Sequence, residues 1–433
     1  MILAAGADAG LTSSSREWKL ARRTSLSGPQ QAFKLQKGDS SFHICRRLAV
    51  GIAAALLPRL PAKARGTISS EVEIPLRWDA GGFYMWFSLD SASAQGQESA
   101  KNPHRIYAVA DTGSPFLLVG KCLRPDCAAY CAEVGCFEGE GAPTGEADSM
   151  EGYASGLVEV AWRKSGRVTF PDANLGMSRN AVELNNIRFG VQGRVIGFGG
   201  TGKAVFFGLI RDHMSDIKTS FLEQTPFKSL VVDLRQPGQE RLMLSETSSI
   251  PDTDGRPACI KLADPRRWGD PVKHYCAVVD MLRVGGRVVT SSSSSSPRKV
   301  LAIFDTGTTG VSMTPGLYQS YWSMAQTSAQ EGVSWAKARK LEVRFTDTSG
   351  SNVSLDMYMG RHPSYGIGLD LVTPIDEMAW VGVGPPESIA NYKVPGGVQD
   401  KQPFEDVMLL GLGFLVGRCI SINTVADELT ISC

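Results

Sequence analysis

Two copies of one short pattern constrain this chain more than any other feature. Residues 108–119 read "AVADTGSPFLLV" and residues 302–313 read "AIFDTGTTGVSM". Each is an apolar run that ends in Asp-Thr-Gly, then a hydroxyl residue, then further apolar residues. At ordinary composition, one Asp-Thr-Gly in a chain this long arises by chance roughly one time in ten. Two in the same context point to an internal repeat, and so to two halves that each build the same aspartate turn.

A second paired signal supports the division. Val195-Ile196-Gly197 and Leu409-Leu410-Gly411 are apolar doublets closed by glycine, each late in its half. Between these points the chain reads as short strands. "EVEIPLRW", "FYMWFSLD", "GLVEVAW", "NIRFGV", "SLVVDL" and "RLMLS" precede residue 250, and "YCAVVDMLRVGGRVV", "KVLAIFD", "KLEVRFT", "NVSLDMYM", "CISINT" and "ELTIS" follow it. Alternating or continuous apolar runs of this length, separated by turn residues, predict an all-β fold. Helical patterning is confined to "SFLEQ" after Thr219 and "PGLYQSYWSMAQ" after Thr314, where Pro315 suits a first helical turn.

On these motifs the chain resembles the pepsin-like aspartic peptidases, over roughly residues 78–433. The resemblance implies a bilobal all-β fold, with an N-terminal lobe at 65–250, a C-terminal lobe at 251–433 and an active-site cleft between them. It makes Asp111 and Asp305 the catalytic pair. Thr112 and Thr306 would hydrogen-bond across the lobes, Gly113 and Gly307 would allow the tight approach, and Ser114 and Thr308 would hold the outer carboxylate oxygens. Each loop would sit against the apolar-apolar-Gly segment of its own lobe. "GYASG" (152–156) resembles the flap hairpin, with Tyr153 as the flap tyrosine. The chain departs from the family pattern at Pro115, at Ala154, at Asn423 and in "LLGLGFL", which lacks the acid that often follows this glycine.

The chemistry explains the doubling. Hydrolysing a peptide without metal or covalent nucleophile needs a base for water and an acid for the amide. Two carboxylates about 3 Å apart supply both, because they cannot ionise together and so share one proton. Such a dyad needs no cofactor and no metal. It takes peptide or protein substrates and favours acidic pH. The alternative on the same scaffold is a catalytically inactive binding or inhibitor protein.

Charge adds an exclusion and an address. The net charge is +1, so nothing points to a nucleic-acid partner. Residues 1–64 hold ten of the 45 Lys and Arg but three of the 44 acids, so the body is mildly acidic. That leader is Ser-rich and basic, then continues "RRLAVGIAAALLPRLPAKARG". A twin arginine, an apolar run too short to span a bilayer and a small-x-small site at Ala62-Lys63-Ala64 predict a removed bipartite signal. A plastid thylakoid lumen is the expected destination; a secreted or endomembrane route is the other. The processed protein is expected to be a monomer without stable membrane insertion.

The eight cysteines beyond the leader fall into two groups of four, Cys122 to Cys136 and Cys259 to Cys433, which predicts disulfides. The spacing of the first group also admits a zinc site, although it is looser than usual metal knuckles. "GFGGTGKA" (197–204) approaches a phosphate-binding loop, but Ala204 replaces the Ser or Thr that reaches Mg²⁺. The five histidines show no metal spacing.

Overall fold

Burial divides the strands into two kinds. Glu71–Pro75 and Leu341–Thr346 alternate buried residues with half-buried or exposed ones, as strands with one face on a core do. Val300–Phe304 and Leu117–Gly120 are buried along their whole length, and both are apolar throughout or end on glycine. The computed structural model describes residues 71–91, 104–121, 131, 135–137, 141–153, 156–170, 183–196, 205–213, 218–247, 258–268, 270, 272–291, 299–375 and 406–432. These residues belong to one compact unit that takes in Ser69–Cys433. The expected leader and its expected cleavage site lie outside the described residues.

The class is all-β, and the described residues form four sheets. A ten-stranded sheet comes entirely from residues before 250, and a five-stranded and a four-stranded sheet entirely from residues after it. The six-stranded sheet draws on both sides. Its order is Glu71–Pro75, Arg241–Ser245, Ser229–Asp233, Cys419–Asn423, Glu428–Ser432, Ala258–Lys261. The junction is antiparallel, with Leu230 opposite Ile422. Both residues are fully buried, so the two halves share one continuous core.

The repeat seen in sequence recurs as topology. In the first half, His104–Asp111 runs into the first Asp-Thr-Gly, and Leu117–Gly120 leaves it. Phe206–Gly208 inserts between them, parallel to the former and antiparallel to the latter. Arg188–Ile196 then runs parallel to Leu117–Gly120. In the second half, Val300–Phe304 and Val311–Met313 flank the other Asp-Thr-Gly. Asp406–Leu410 inserts between them with the same polarities, and Val372–Pro374 runs parallel to Val311–Met313. Parting two strands around a third leaves the loop between them at the sheet's end, where the ladder no longer occupies its backbone groups.

One of the two expected helices forms in full. Pro315–Gln330 buries Leu317, Tyr321, Ala325 and Ser328, a single stripe at helical spacing. The other is only a turn, Leu222–Gln224, closed by an extended Thr225 (φ −120°, ψ 161°). Thr225 precedes Pro226, and the proline ring disfavours helical backbone in the residue before it.

Candidate active site

The strand that carries Asp111 is held from behind by Phe206-Phe207-Gly208, not by Val195-Ile196. Phe207 pairs with Ala110 and Gly208 with Asp111. Val195 and Ile196 instead pair with Val158 and Leu157 on the hairpin strand Gly156–Thr169. Phe206-Phe207-Gly208 is thus the counterpart of Leu409-Leu410-Gly411, where Leu410 pairs with Phe304. The two glycines have the same job. A Cβ on Gly208 would lie 2.5 Å from Phe116 N, and one on Gly411 would lie 2.1 Å from Thr308 O. Phe207 fixes the inserted strand. It packs edge-on against Phe87, Phe170 and Phe221, with ring centroids 5.5, 5.7 and 4.4 Å away. Full burial of one such ring contributes about 1.5–3 kcal/mol.

The two Asp-Thr-Gly loops meet and clasp. Thr112 Oγ1 donates to Phe304 O at 2.9 Å and accepts from Thr306 N at 3.0 Å. Thr306 Oγ1 donates to Ala110 O at 2.6 Å and accepts from Thr112 N at 3.1 Å. Each hydroxyl therefore satisfies one backbone donor and one acceptor of the opposite loop. Both threonines are 2% exposed, so water cannot replace these bonds.

The clasp brings the carboxyls together. Gly113 N donates to Asp111 Oδ1 and Gly307 N to Asp305 Oδ1, each at 2.8 Å. The two acids are close enough that the Asp305 carboxyl raises the proton affinity of Asp111. Each glycine backs directly onto the other half's acid. A Cβ on Gly113 would stand 2.5 Å from Asp305 Oδ1, and one on Gly307 the same distance from Asp111 Oδ1. Neither glycine has a positive φ, so close approach alone is what requires it. Burial, then the neighbouring Asp305 carboxyl, holds Asp111 well above the usual carboxylate range.

The supporting hydroxyls are not symmetric. Thr308 Oγ1 donates to Asp305 Oδ2 at 2.6 Å. Ser114 is equally buried, but its Oγ has no hydrogen-bond partner among the described residues. The expected twin bond to Asp111 is therefore absent; in its place the serine backbone is tied down, its carbonyl accepting from Ile210 N at 3.0 Å. A bond the sequence did not suggest ties the second loop to the first half: Thr309 Oγ1 donates to Gly81 O at 2.6 Å.

A hairpin of Ser149–Tyr153 and Gly156–Thr169 lies in the same sheet, with Tyr153 opposite Gly156. The Tyr153 side chain and the tip at 154–155 lie outside the described residues. The hairpin is fastened at its base, where Trp162 Nε1 donates to Ser149 Oγ at 2.7 Å.

Two other sequence patterns are redirected. Residues 197–204 lie outside the described residues, but Phe206–Gly208 directly after them is a strand, where a phosphate-binding loop needs a helix. Cys131 and Cys136 form a disulfide, which removes two of the four thiols a zinc site would need. Among the described residues no cluster of His, Cys, Asp and Glu could hold a metal ion, and no helix is long and apolar enough to cross a membrane.

The threonine clasp carries a direct prediction. Thr306→Val keeps the shape but strands the buried Thr112 N–H and Ala110 carbonyl. At about 1–3 kcal/mol for each unsatisfied buried group, the loss of unfolding free energy is roughly 2–6 kcal/mol. Thr306→Ser, which retains the hydroxyl, is expected to recover most of it in a urea titration. Equal losses for the two variants would show that the methyl, not the hydroxyl, matters.

The chain matches no protein-family model and no curated protein sequence.

Proposed function

We propose that this protein is an aspartic endopeptidase, with two β-rich lobes of the pepsin-like kind and water activated between Asp111 and Asp305. The observation that supports the reading is the pair of buried carboxyls, each backed by the other loop's glycine, at the clasped meeting of two loops related by repeat. Burying two like acids against each other weakens a fold, and strongly perturbed acids of this kind cluster at functional sites. A dyad holding one proton can take a proton from water on one carboxylate and give one to the scissile carbonyl oxygen from the other. Thr308 on Asp305 and the glycine amides on both acids restrain the carboxyl oxygens for this role.

Peptide or protein segments are the substrates of this reading, bound without cofactor in the cleft beneath the hairpin that ends at Tyr153. The Cys131–Cys136 disulfide fits an oxidising compartment, and a thylakoid lumen acidified by proton pumping would suit the dyad. The unpartnered Ser114 Oγ is the observation that favours a binding protein instead, because it leaves Asp111 without the outer hydrogen bond that Asp305 has.

The test is cleavage of a denatured protein between pH 3 and 7 by the purified 65–433 chain, with and without pepstatin, beside Asp111→Ala and Asp305→Ala. Pepstatin-sensitive cleavage lost in both variants is the expected result. Cleavage that survives either substitution excludes the dyad. Binding of pepstatin without cleavage at any pH supports the silent scaffold.

A further inference from the structure

We infer that Tyr275 is a positioning residue that braces both aspartate loops at once; the inference rests on the reading of Asp111 and Asp305 as a working dyad. Tyr275 immediately precedes the strand Cys276–Val279 and is 4% exposed. Its backbone carbonyl accepts from Phe304 N at 2.9 Å. Phe304 is the residue before Asp305, and its own carbonyl is already held by Thr112 Oγ1. Phe304, the residue that leads into the second aspartate, is thus held at both its N–H and its carbonyl.

The side chain reaches the other way. Tyr275 Oη donates to Leu209 O at 2.6 Å, and Leu209 N donates to Asp111 O at 2.8 Å. One residue therefore links the backbone of Asp111, through Leu209, to the backbone just before Asp305. Burial, then the charge of Asp212, raises the phenol well above its ordinary range. The hydroxyl therefore stays protonated and remains a donor throughout the pH range in which a dyad works.

The repeat shows that the hydroxyl is specific to one side. Cys276 pairs with Ile303, two residues before Asp305, and Tyr84 pairs with Val109, two residues before Asp111. Phe83 is consequently the positional counterpart of Tyr275. It also reaches across the molecule, but only by packing: its ring meets Tyr365 edge-on at 5.5 Å. The first half fills this place with a ring alone. The second half adds a hydrogen bond aimed at the strap behind Asp111.

Tyr275→Phe isolates that bond, because it keeps the ring and removes one oxygen. In the full processed chain, kcat for peptide hydrolysis is expected to fall about tenfold with KM within twofold, a fraction of the roughly 10²-fold that a 1 Å misplacement costs. Tyr321→Phe is the control. Tyr321 is another buried tyrosine with a hydroxyl–carbonyl contact, to Arg339 O at 3.4 Å, on the helix Pro315–Gln330. It should leave kcat unchanged.

A second readout does not depend on activity. With ¹³C-carboxyl aspartate, the raised titration of Asp111 should move toward the ordinary carboxylate range in Tyr275→Phe and stay in place in Tyr321→Phe. Matching effects of the two variants, or an Asp111 titration unmoved by Tyr275→Phe, would overturn the inference. A wild-type chain with no Asp111-dependent cleavage would fail the enzymatic reading instead, and the titration would still decide whether Tyr275 sets the dyad's geometry.

Discussion

Asp111→Asn is expected to abolish cleavage and, at neutral pH, to make the fold more stable. The loss of activity follows from the chemistry: an amide neither accepts water's proton nor donates one to a carbonyl, so the fall should lie at the upper end of the 10²–10⁴-fold range for proton transfer. The gain in stability follows from linkage. Burial and Asp305 raise the folded-state pKa of Asp111 well above its ordinary value. A carboxyl shifted upward binds its proton more tightly when folded. Its contribution is therefore favourable below the unfolded pKa and is lost as pH rises through the folded one. Each unit of upward shift removes about 1.4 kcal/mol once the pH exceeds both values. Asparagine at 111 carries no proton to lose, and its amide can still donate to Asp305. The difference in unfolding free energy between variant and wild type should thus grow in the variant's favour from pH 3.5 to pH 7. A difference that does not change with pH would mean that Asp111 is not held protonated by its surroundings.

Much of this site was legible because the residues that carry it are local in sequence. The repeat of Asp-Thr-Gly located both loops, and the apolar runs before them located the strands. What stayed hidden depends on long-range pairing. Val195-Ile196-Gly197 and Phe206-Phe207-Gly208 are both apolar doublets closed by glycine, and nothing in either triplet says which one is inserted behind Asp111. Only the ladder decides, with Phe207 against Ala110. One signal could have helped, since Gly208 and Gly411 are both followed by leucine. The Ser114–Thr308 asymmetry was out of reach for a different reason: two hydroxyls at matching positions differ in which partner their rotamer reaches. Tyr275 gives no local sign at all, because its hydroxyl serves a carbonyl in the other half of the chain. The resemblance supplied the threonine clasp as an expectation; hydrophobic periodicity alone contains no statement about two side chains 194 positions apart.

The second large effect is expected from a single methyl. Gly307→Ala would place a Cβ 2.5 Å from Asp111 Oδ1 and 2.7 Å from its Cγ, and Gly113→Ala would do the same to Asp305 at 2.5 and 2.6 Å. Ordinary van der Waals contact needs about 3.5 Å, so the opposing acid must retreat by nearly 1 Å. It has nowhere easy to go. Asp111 Oδ1 is tied to Gly113 N, and the peptide on either side is held by Thr306 Oγ1 of the threonine clasp. Overpacking of this kind costs typically about 1–3 kcal/mol of stability, which a fold of this size can absorb. Catalysis is far less forgiving, because a displacement near 1 Å at the reacting groups is worth roughly 10²-fold. The expected result is a folded protein with kcat/KM reduced at least about 10²-fold. Gly82→Ala is the comparison, since its Cβ would come no closer than 3.4 Å to any atom, and that atom belongs to the Tyr84 side chain. If Gly307→Ala and Gly82→Ala were equally active, the two carboxyls could not be packed as the loops place them. The two glycines test the dyad independently of the aspartates, because they remove no ionisable group and change only the distance between the acids.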